Sequence, residues 1–377
     1  MKKILILSFS DLARDPRVNR QIKLLNDHYH VSTLGFAEPQ ISGVEFLQAG
    51  ATSKTFFGKM QAVCMLKLGM FESYYWSVNS VKNIYKLLNG REFDLIISND
   101  LNTLPLALRL ANGKAKVVFD AHEYAPREFE DVFSWRFLFK RYSEAMCRKY
   151  IPQVAGMMTV CPGIADEYQK HFGVRPAVVI NAPVYHDLQP SEVLDGAIRM
   201  IHHGGAAPSR KLELMIETMR LLDGRFQLDF MLMPSPLGYL DKLKQLAKGV
   251  RGVRFISPVP MRELPIFLNQ YDIGLYLLPP NSFNNAHALP NKLFEFIQAR
   301  LGIVIGPSPE MASLVSKYDC GVIAKEFTPE ALAQELNLLT SEKVAYYKQR
   351  ANVAAQDLCF EQNAKIILGV IEQALAA

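Results

Sequence analysis

Short apolar runs alternate with amphipathic stretches along the whole chain. In the first half, Lys3–Ser8, Val31–Gly35, Asp94–Ser98, Lys116–Asp120 and Gly156–Val160 have the length and near-continuous apolar character of strands buried on both faces. Apolar residues at three- and four-residue spacing fill the segments between them. This strand–helix alternation predicts parallel sheets wrapped by helices. After the turn-rich stretch Val178–Gly196 the pattern restarts with Ala197–His202, Phe226–Met231, Val253–Ile256, Ile273–Leu277, Gly302–Ile305 and Gly321–Ile323. The boundary is expected near Asn181–Ser191, giving α/β domains over 1–185 and 190–355. Ser341–Ala377 reads as helix with no strand left to pair, so 356–377 either closes the second domain or crosses back to the first. Two doubly wound domains bind ligands in a cleft at the carboxyl ends of their strands.

Length and composition fit this picture. The 377 residues exceed one typical core, and 49% hydrophobic with 21% charged is ordinary for a globular chain. A formal charge of +5 and a pI near 8.8 suit an anionic ligand or membrane surface and are too weak to argue for nucleic acid. Five scattered cysteines without a C-x-x-C imply neither a disulfide framework nor a zinc site, which makes a reducing cytoplasm the expected compartment. The opening "MKKILILSFSDLARD" stops being apolar at Ser8, too soon for a signal-peptide core. Phe56–Trp76 is the nearest thing to a membrane span, but Lys59, Lys67 and Glu72 interrupt it. It is expected to line a core or cleft, with a helix lying on a bilayer surface as the alternative.

The candidate chemistry begins at "LPNKLFEFIQARLGIVIG" (Leu289–Gly306), which reads as a helix start, one short helix and a buried strand. Lys292 falls in the first helical turn, where the helix dipole disfavours a cation by roughly 0.3–1 kcal/mol. An arriving anion would explain it. Glu295, three residues on, can accept hydrogen bonds from paired hydroxyls such as those of a ribose; a surface ion pair between the two is the bland alternative. Upstream, "IRMIHHGGAAPSRKLELMIETMRLL" places Gly204 and Gly205 after a strand and a helix from about Ser209, its expected N-cap. Helix-start amides and Arg210 would together hold a diphosphate; a tight turn with an exposed arginine is the competing reading.

In the first half, "SDLARDPRVNRQ" lacks the glycine pattern of a dinucleotide fingerprint, which disfavours a dehydrogenase. Asp15 as N-cap and Pro16 at N1 explain it locally, leaving Arg14 and Arg17 as candidates for an anionic group. "VVFDAHEYAPREF" ends a strand with Asp120, His122 and Glu123, polar groups suited to sugar hydroxyls. Phe133–Tyr150 is basic and aromatic, with Trp135, Leu138, Tyr142 and Met146 on one helical face. A packed helix with a solvated basic side is expected, and contact with lipid headgroups or a lipid-diphosphate acceptor is the alternative.

"HGGAAPSRKLELMIETMRLL", "VRFISPVPMRELPIFLNQYDIGLYLLP" and "LPNKLFEFIQARLGIVIG", with "DPRVNRQIKLL", "FDAHE" and "TVCPGIADEYQKHFG", resemble the retaining glycosyltransferases of family four. The resemblance implies the GT-B fold, with two Rossmann-like domains facing across a cleft, and a nucleotide-diphosphate sugar held mainly by the second domain. Gly204, Gly205, His287, Asn291, Leu293 and Glu295 would bind that donor. Arg210 and Lys292 would neutralise its diphosphate without a metal or a cofactor, and His122 would stand near the donor sugar. Arg14, Arg17, Asp120 and Glu123 would lie on the acceptor side. Glu295 matches the second glutamate of the family's E-x7-E motif, while His287 departs from the first, and Lys211 stands where glycine is usual. The implied partners are a glycan or lipid-linked acceptor and, peripherally, the inner face of a membrane. The implied activity is sugar transfer with retention in surface-polysaccharide or lipid-linked glycan assembly. A nucleotide-sugar 2-epimerase, a sugar-phosphate synthase and a catalytically silent scaffold are the alternatives on the same architecture.

Overall fold

The apolar runs of the first half form seven parallel strands: β1 (Lys3–Leu7), β2 (His30–Gly35), β3 (Glu45–Gln48), β4 (Leu95–Asn99), β5 (Lys116–Ala121), β6 (Gly156–Thr159) and β7 (Ala177–Val178). They are ordered β3-β2-β1-β4-β5-β6-β7 in a computed structural model, which describes residues 1–50, 56–233 and 238–377. β4 is buried along its whole length and β1 and β5 nearly so, as expected where helices cover both faces. β3 and β7 escape the apolar pattern. They are edge strands, half-buried or exposed, so their side chains need not be uniformly apolar.

The second sheet repeats the plan with β8 (Ile198–Gly205), β9 (Phe226–Met233), β10 (Val253–Ile256), β11 (Ile273–Tyr276), β12 (Gly302–Ile305) and β13 (Gly321–Ile323), ordered β10-β9-β8-β11-β12-β13. Its core joins Ile198, Met200, Leu228, Phe230, Leu275 and Val304 with Met215 and Ile216 of a covering helix. Each such side chain contributes about 1.5–3 kcal/mol on burial. In both sheets the order reverses beside the first strand, and ligands of doubly wound sheets sit at that point.

The chain divides into two compact units. One comprises Met1–Ile180, Ser282–Asn284 and Ala364–Ala377; the other comprises Asn181–Asn281 and Asn285–Asn363. The tail forms helices Ser341–Asp357 and Phe360–Ala376, so the change of unit falls inside the last helix at Asn363 rather than at residue 356. Val370 packs on Gly156, where an added Cβ would fall 3.0 Å from its Cγ1.

Two expected helices are each broken in two. Phe56–Trp76 forms helices Phe56–Lys67 and Phe71–Ser77, separated where Gly69 takes a left-handed φ of 72°. The Phe56 and Phe57 side chains lie outside the described residues. Phe133–Tyr150 forms helices Phe133–Leu138 and Lys140–Tyr150. The break at Phe139 leaves Tyr142 and Met146 buried and Trp135 and Leu138 only partly so. Among the described residues no helix is long and apolar enough to cross a membrane.

Candidate active site

In the second unit the glycines do not form the loop expected after His202. β8 runs on through them because β9 is equally long and pairs Gly204 with Leu232 and Gly205 with Met233. Gly204 takes φ 114°, a conformation side chains disfavour. Nor does a helix start at Ser209. A single 3-10 turn, Pro208–Arg210, ends at Lys211 in the left-handed region (φ 51°), and the helix Glu213–Met219 follows. Ser209 therefore caps nothing, and its carbonyl accepts a hydrogen bond from Asn281. Of the anion-binding features expected in this loop, the glycines and Arg210 remain as candidates.

The helix Asn291–Gln298 lies against β11 because Gly274 has no side chain. A Cβ there would fall 2.3 Å from the Phe296 ring. That close approach buries the helix on nearly every side, including Lys292 at 5% and Glu295 at 8% exposure. The Lys292 ammonium stands 3.1 Å from His202 Nε2 and 4.2 Å from the Tyr276 ring centroid. His202 Nδ1 lies 2.9 Å from the Leu275 carbonyl. Since a carbonyl only accepts, Nδ1 carries the proton and Nε2 is left to accept from the lysine.

Arg210 reaches the same place. A Cβ at Gly204 would lie 3.5 Å from Lys292 Nζ and 3.6 Å from Arg210 Nη1, and one at Gly205 would lie 3.6 Å from Nη1. Arg210 Nη1 also donates to the Gly205 carbonyl. Among the described residues neither cation closes an ion pair with a carboxylate. Burial, then Arg210, holds Lys292 well below its ordinary pKa despite Glu295. Burial and Lys292 likewise hold His202 well below the usual imidazole value, and they push His203 down to about 3. The result is a cluster of positive charge around Gly204, buried at Lys292 and half-buried at Arg210, at the reversal between β8 and β11.

Around it, Glu295 Oε2 faces His203 Nε2 at 3.3 Å with no hydrogen bond closing between them. His287 Nδ1 pairs with Glu310 at 3.0 Å, so a carboxylate from the helix Pro309–Tyr318 stands beside the histidine that replaces the motif's first glutamate. Leu293 fits the donor role poorly. Its side chain is buried and its N–H already donates to the Pro290 carbonyl. Asn291, half-buried, opens the helix. His202, His203, Tyr276 and Glu310 were not singled out by sequence; "IHHGG" at a strand end was the one available signal.

In the first unit, Arg17 is consumed internally. Its guanidinium makes a two-pronged pair with Asp120 (2.9 and 2.6 Å) and donates to the Val179 carbonyl, so it is not free for a ligand anion. Asp120 is equally buried and holds that arginine and Gln21. Arg14 is almost fully exposed beside Asp11, and Glu123 accepts from Asn284 Nδ2 at 3.1 Å. His122 is better placed. Its Nδ1 lies 3.3 Å from Asp100 Oδ2 and its Nε2 3.1 Å from Asn99 Oδ1. Burial alone would lower its pKa, but Asp100 and Asp120 outweigh it and raise it. Asp100 accepts the His122 N–H from a left-handed backbone (φ 63°), strain of a kind concentrated at functional sites.

Two Rossmann-like parallel sheets, one carrying a cluster of cations at its strand-order reversal, define an α/β class of doubly wound proteins. The Glycosyltransferase Family 4 model matches residues 48–188. Solved structures similar over the whole chain give it the GT-B fold. Anabaena HepE in complex with UDP-glucose is 13% identical at a TM-score of 0.72, covering 99% of this chain and 100% of that one. WaaG, a glycosyltransferase involved in lipopolysaccharide biosynthesis, is 16% identical at 0.65, covering 97% and 100%. S. aureus TarM, a mutant in complex with Fondaparinux, alpha-GlcNAc-glycerol and UDP, is 10% identical at 0.72, covering 100% of both chains. No curated protein matches the sequence.

Proposed function

We propose that the protein transfers a sugar from a nucleotide-diphosphate sugar to an acceptor hydroxyl, with retention and without a metal, in the assembly of a surface or lipid-linked glycan. The observation that carries this reading is the convergence of Arg210 and Lys292 on Gly204, with no carboxylate paired to either among the described residues. Two neighbouring cations without a carboxylate partner among the described residues suit a diphosphate, and fixed charges aimed at a leaving group supply transition-state stabilisation. The bond from the anomeric carbon to the diphosphate breaks, a bond to the acceptor oxygen forms on the same face, and the acceptor proton passes to the departing phosphate. Glu295 would hold the ribose, and His287 with Glu310 would face the donor sugar. HepE holding UDP-glucose and TarM holding UDP on the same fold support a uridine nucleotide as the first donor to test.

A screen of nucleotide-sugar turnover with product identification tests the proposal. An enlarged acceptor or donor hydrolysis is expected, and an isomerised donor would instead mean a 2-epimerase. Calorimetry should show a nucleoside diphosphate binding in the presence of chelator. Silence across UDP, GDP and ADP would remove the assignment.

A further inference from the structure

The first unit contains a cavity of about 330 Å³ over the carboxyl ends of β1 to β4, within the size range of small-molecule pockets. Its walls are aromatic. Phe9 stacks on Phe36 with ring centroids 6.3 Å apart, Phe129 meets Trp135 edge-on at 6.1 Å, and Tyr74 meets Tyr142 edge-on at 5.3 Å. One end is polar. Asn102 and Glu128 line both this cavity and a smaller one of about 200 Å³ that holds Asp100 and His122, so the two adjoin there.

The polar groups at that junction are not equally available. The Asn102 carbonyl already accepts from the Tyr75 hydroxyl at 2.9 Å. The half-buried Glu128 carboxylate makes no hydrogen bond or ion pair among the described residues. Burial, then Asp100, pushes its pKa up to about 7. A partly buried acid without a partner is costly and calls for a donor from outside.

We propose that this cavity is the acceptor subsite and takes an acceptor that carries an apolar, ring-sized group next to its hydroxyl-bearing part. The ring lies among the aromatic walls, and the hydroxyl side faces Asn102 and Glu128. The assignment as acceptor rests on the sugar-transfer reading; the preference for an apolar ring rests on the cavity itself. An engineered apolar cavity of about 150 Å³ already admits benzene, so this one holds a ring with a substituent. A fully hydroxylated sugar fits poorly, because its hydroxyls would be buried against ring faces that cannot satisfy them.

The test uses the full chain, tryptophan fluorescence and calorimetry with methyl, phenyl and octyl β-glucosides, and UDP titrated separately. Phenyl glucoside should bind at least tenfold more tightly than methyl glucoside and at least as tightly as octyl glucoside. Trp135→Ala, at a partly exposed wall, should remove most of that preference, as should Ser80→Trp, which fills the cavity from its edge. Glu128→Gln should weaken phenyl glucoside several-fold and flatten its pH dependence near 7. UDP affinity, set by residues of the other unit, should hold in all three variants. Equal affinity for methyl and phenyl glucosides in a protein that binds UDP overturns the inference and leaves sugar transfer standing. Octyl glucoside binding tenfold more tightly than phenyl assigns an alkyl chain and also overturns it. Phenyl selectivity lost in the wall variants, in a protein that binds no nucleoside diphosphate, supports the cavity and sinks the transfer reading.

Discussion

Lys292 donates to His202 across 3.1 Å at a helix start that Arg210 also approaches, and no carboxylate pairs with either cation among the described residues. The lysine opposes its own helix dipole, and burial and Arg210 oppose its charge as well. A site held in that condition gains when an anion arrives.

Replacing the lysine should therefore separate binding from folding. Lys292→Met removes one charge-assisted contact, about 1.5–3 kcal/mol. Nucleoside diphosphate affinity should fall between about tenfold and about 150-fold by calorimetry. The melting temperature should hold or rise, since an uncompensated buried ammonium is lost. Wild-type affinity in this variant would take Lys292 out of the site.

Donor binding should take up protons. In the free protein burial and Arg210 lower the Lys292 pKa, and a bound diphosphate raises it again. Between those two values the complex holds more protons than the free protein, so affinity falls as pH rises through that window. Calorimetry in buffers of different ionisation enthalpy should yield a positive proton stoichiometry that vanishes in Lys292→Met. The same lowered pKa has a folding consequence. The unfolded chain binds the extra proton, so this group's contribution to stability is full above the ordinary lysine range and is lost as pH falls through its folded value.

The pair Arg17–Asp120 should be structural rather than ligand-binding. Asp120→Ala strands a buried guanidinium and should cost about 3–5 kcal/mol by urea titration. Burial pushes the Asp120 carboxyl up, but Arg17 and His122 outweigh it and hold it well below 3.8. Its stabilisation is present above that pH and lost as pH falls below it, so acid should destabilise wild type more steeply than the variant. An Asp120→Ala protein as stable as wild type would contradict the geometry.

Gly274→Ala should disturb the donor site from the far side of the helix. The new methyl meets the Phe296 ring, and overpacking of this kind costs about 1–3 kcal/mol. Because Lys292 and Glu295 ride on that helix, nucleoside diphosphate affinity should fall along with stability. Loss of stability alone would mean that the helix stays in place.

Lys211→Gly should do the reverse. At φ 51° a lysine pays about 1–2 kcal/mol that glycine does not. The melting temperature should rise without loss of UDP binding, and an unchanged or lower one would show that the lysine side chain contributes elsewhere.

Much of the architecture was legible because a strand covered on both faces must be apolar along its length. β1, β4, β5, β11 and β12 were readable for that reason, while β3 and β7, at an edge, were not. The candidate donor residues were legible in part. Lys292 stood out because a cation in a first helical turn is unfavourable without a partner, whereas His202 and Tyr276 look like ordinary strand-end residues. Arg17 misled because an arginine in a first helical turn reads alike whether its partner is a ligand or Asp120.

The order of apolar runs, the change of pattern near residue 181 and the misplaced lysine are properties of the sequence, since each follows from local periodicity or local electrostatics. Which cations meet at Gly204, which arginine is already spent and which aromatic rings enclose a cavity were decided only by tertiary structure. Parallel strands bring together residues far apart in the chain, as with His202 and Lys292, and no local pattern records which side chains meet.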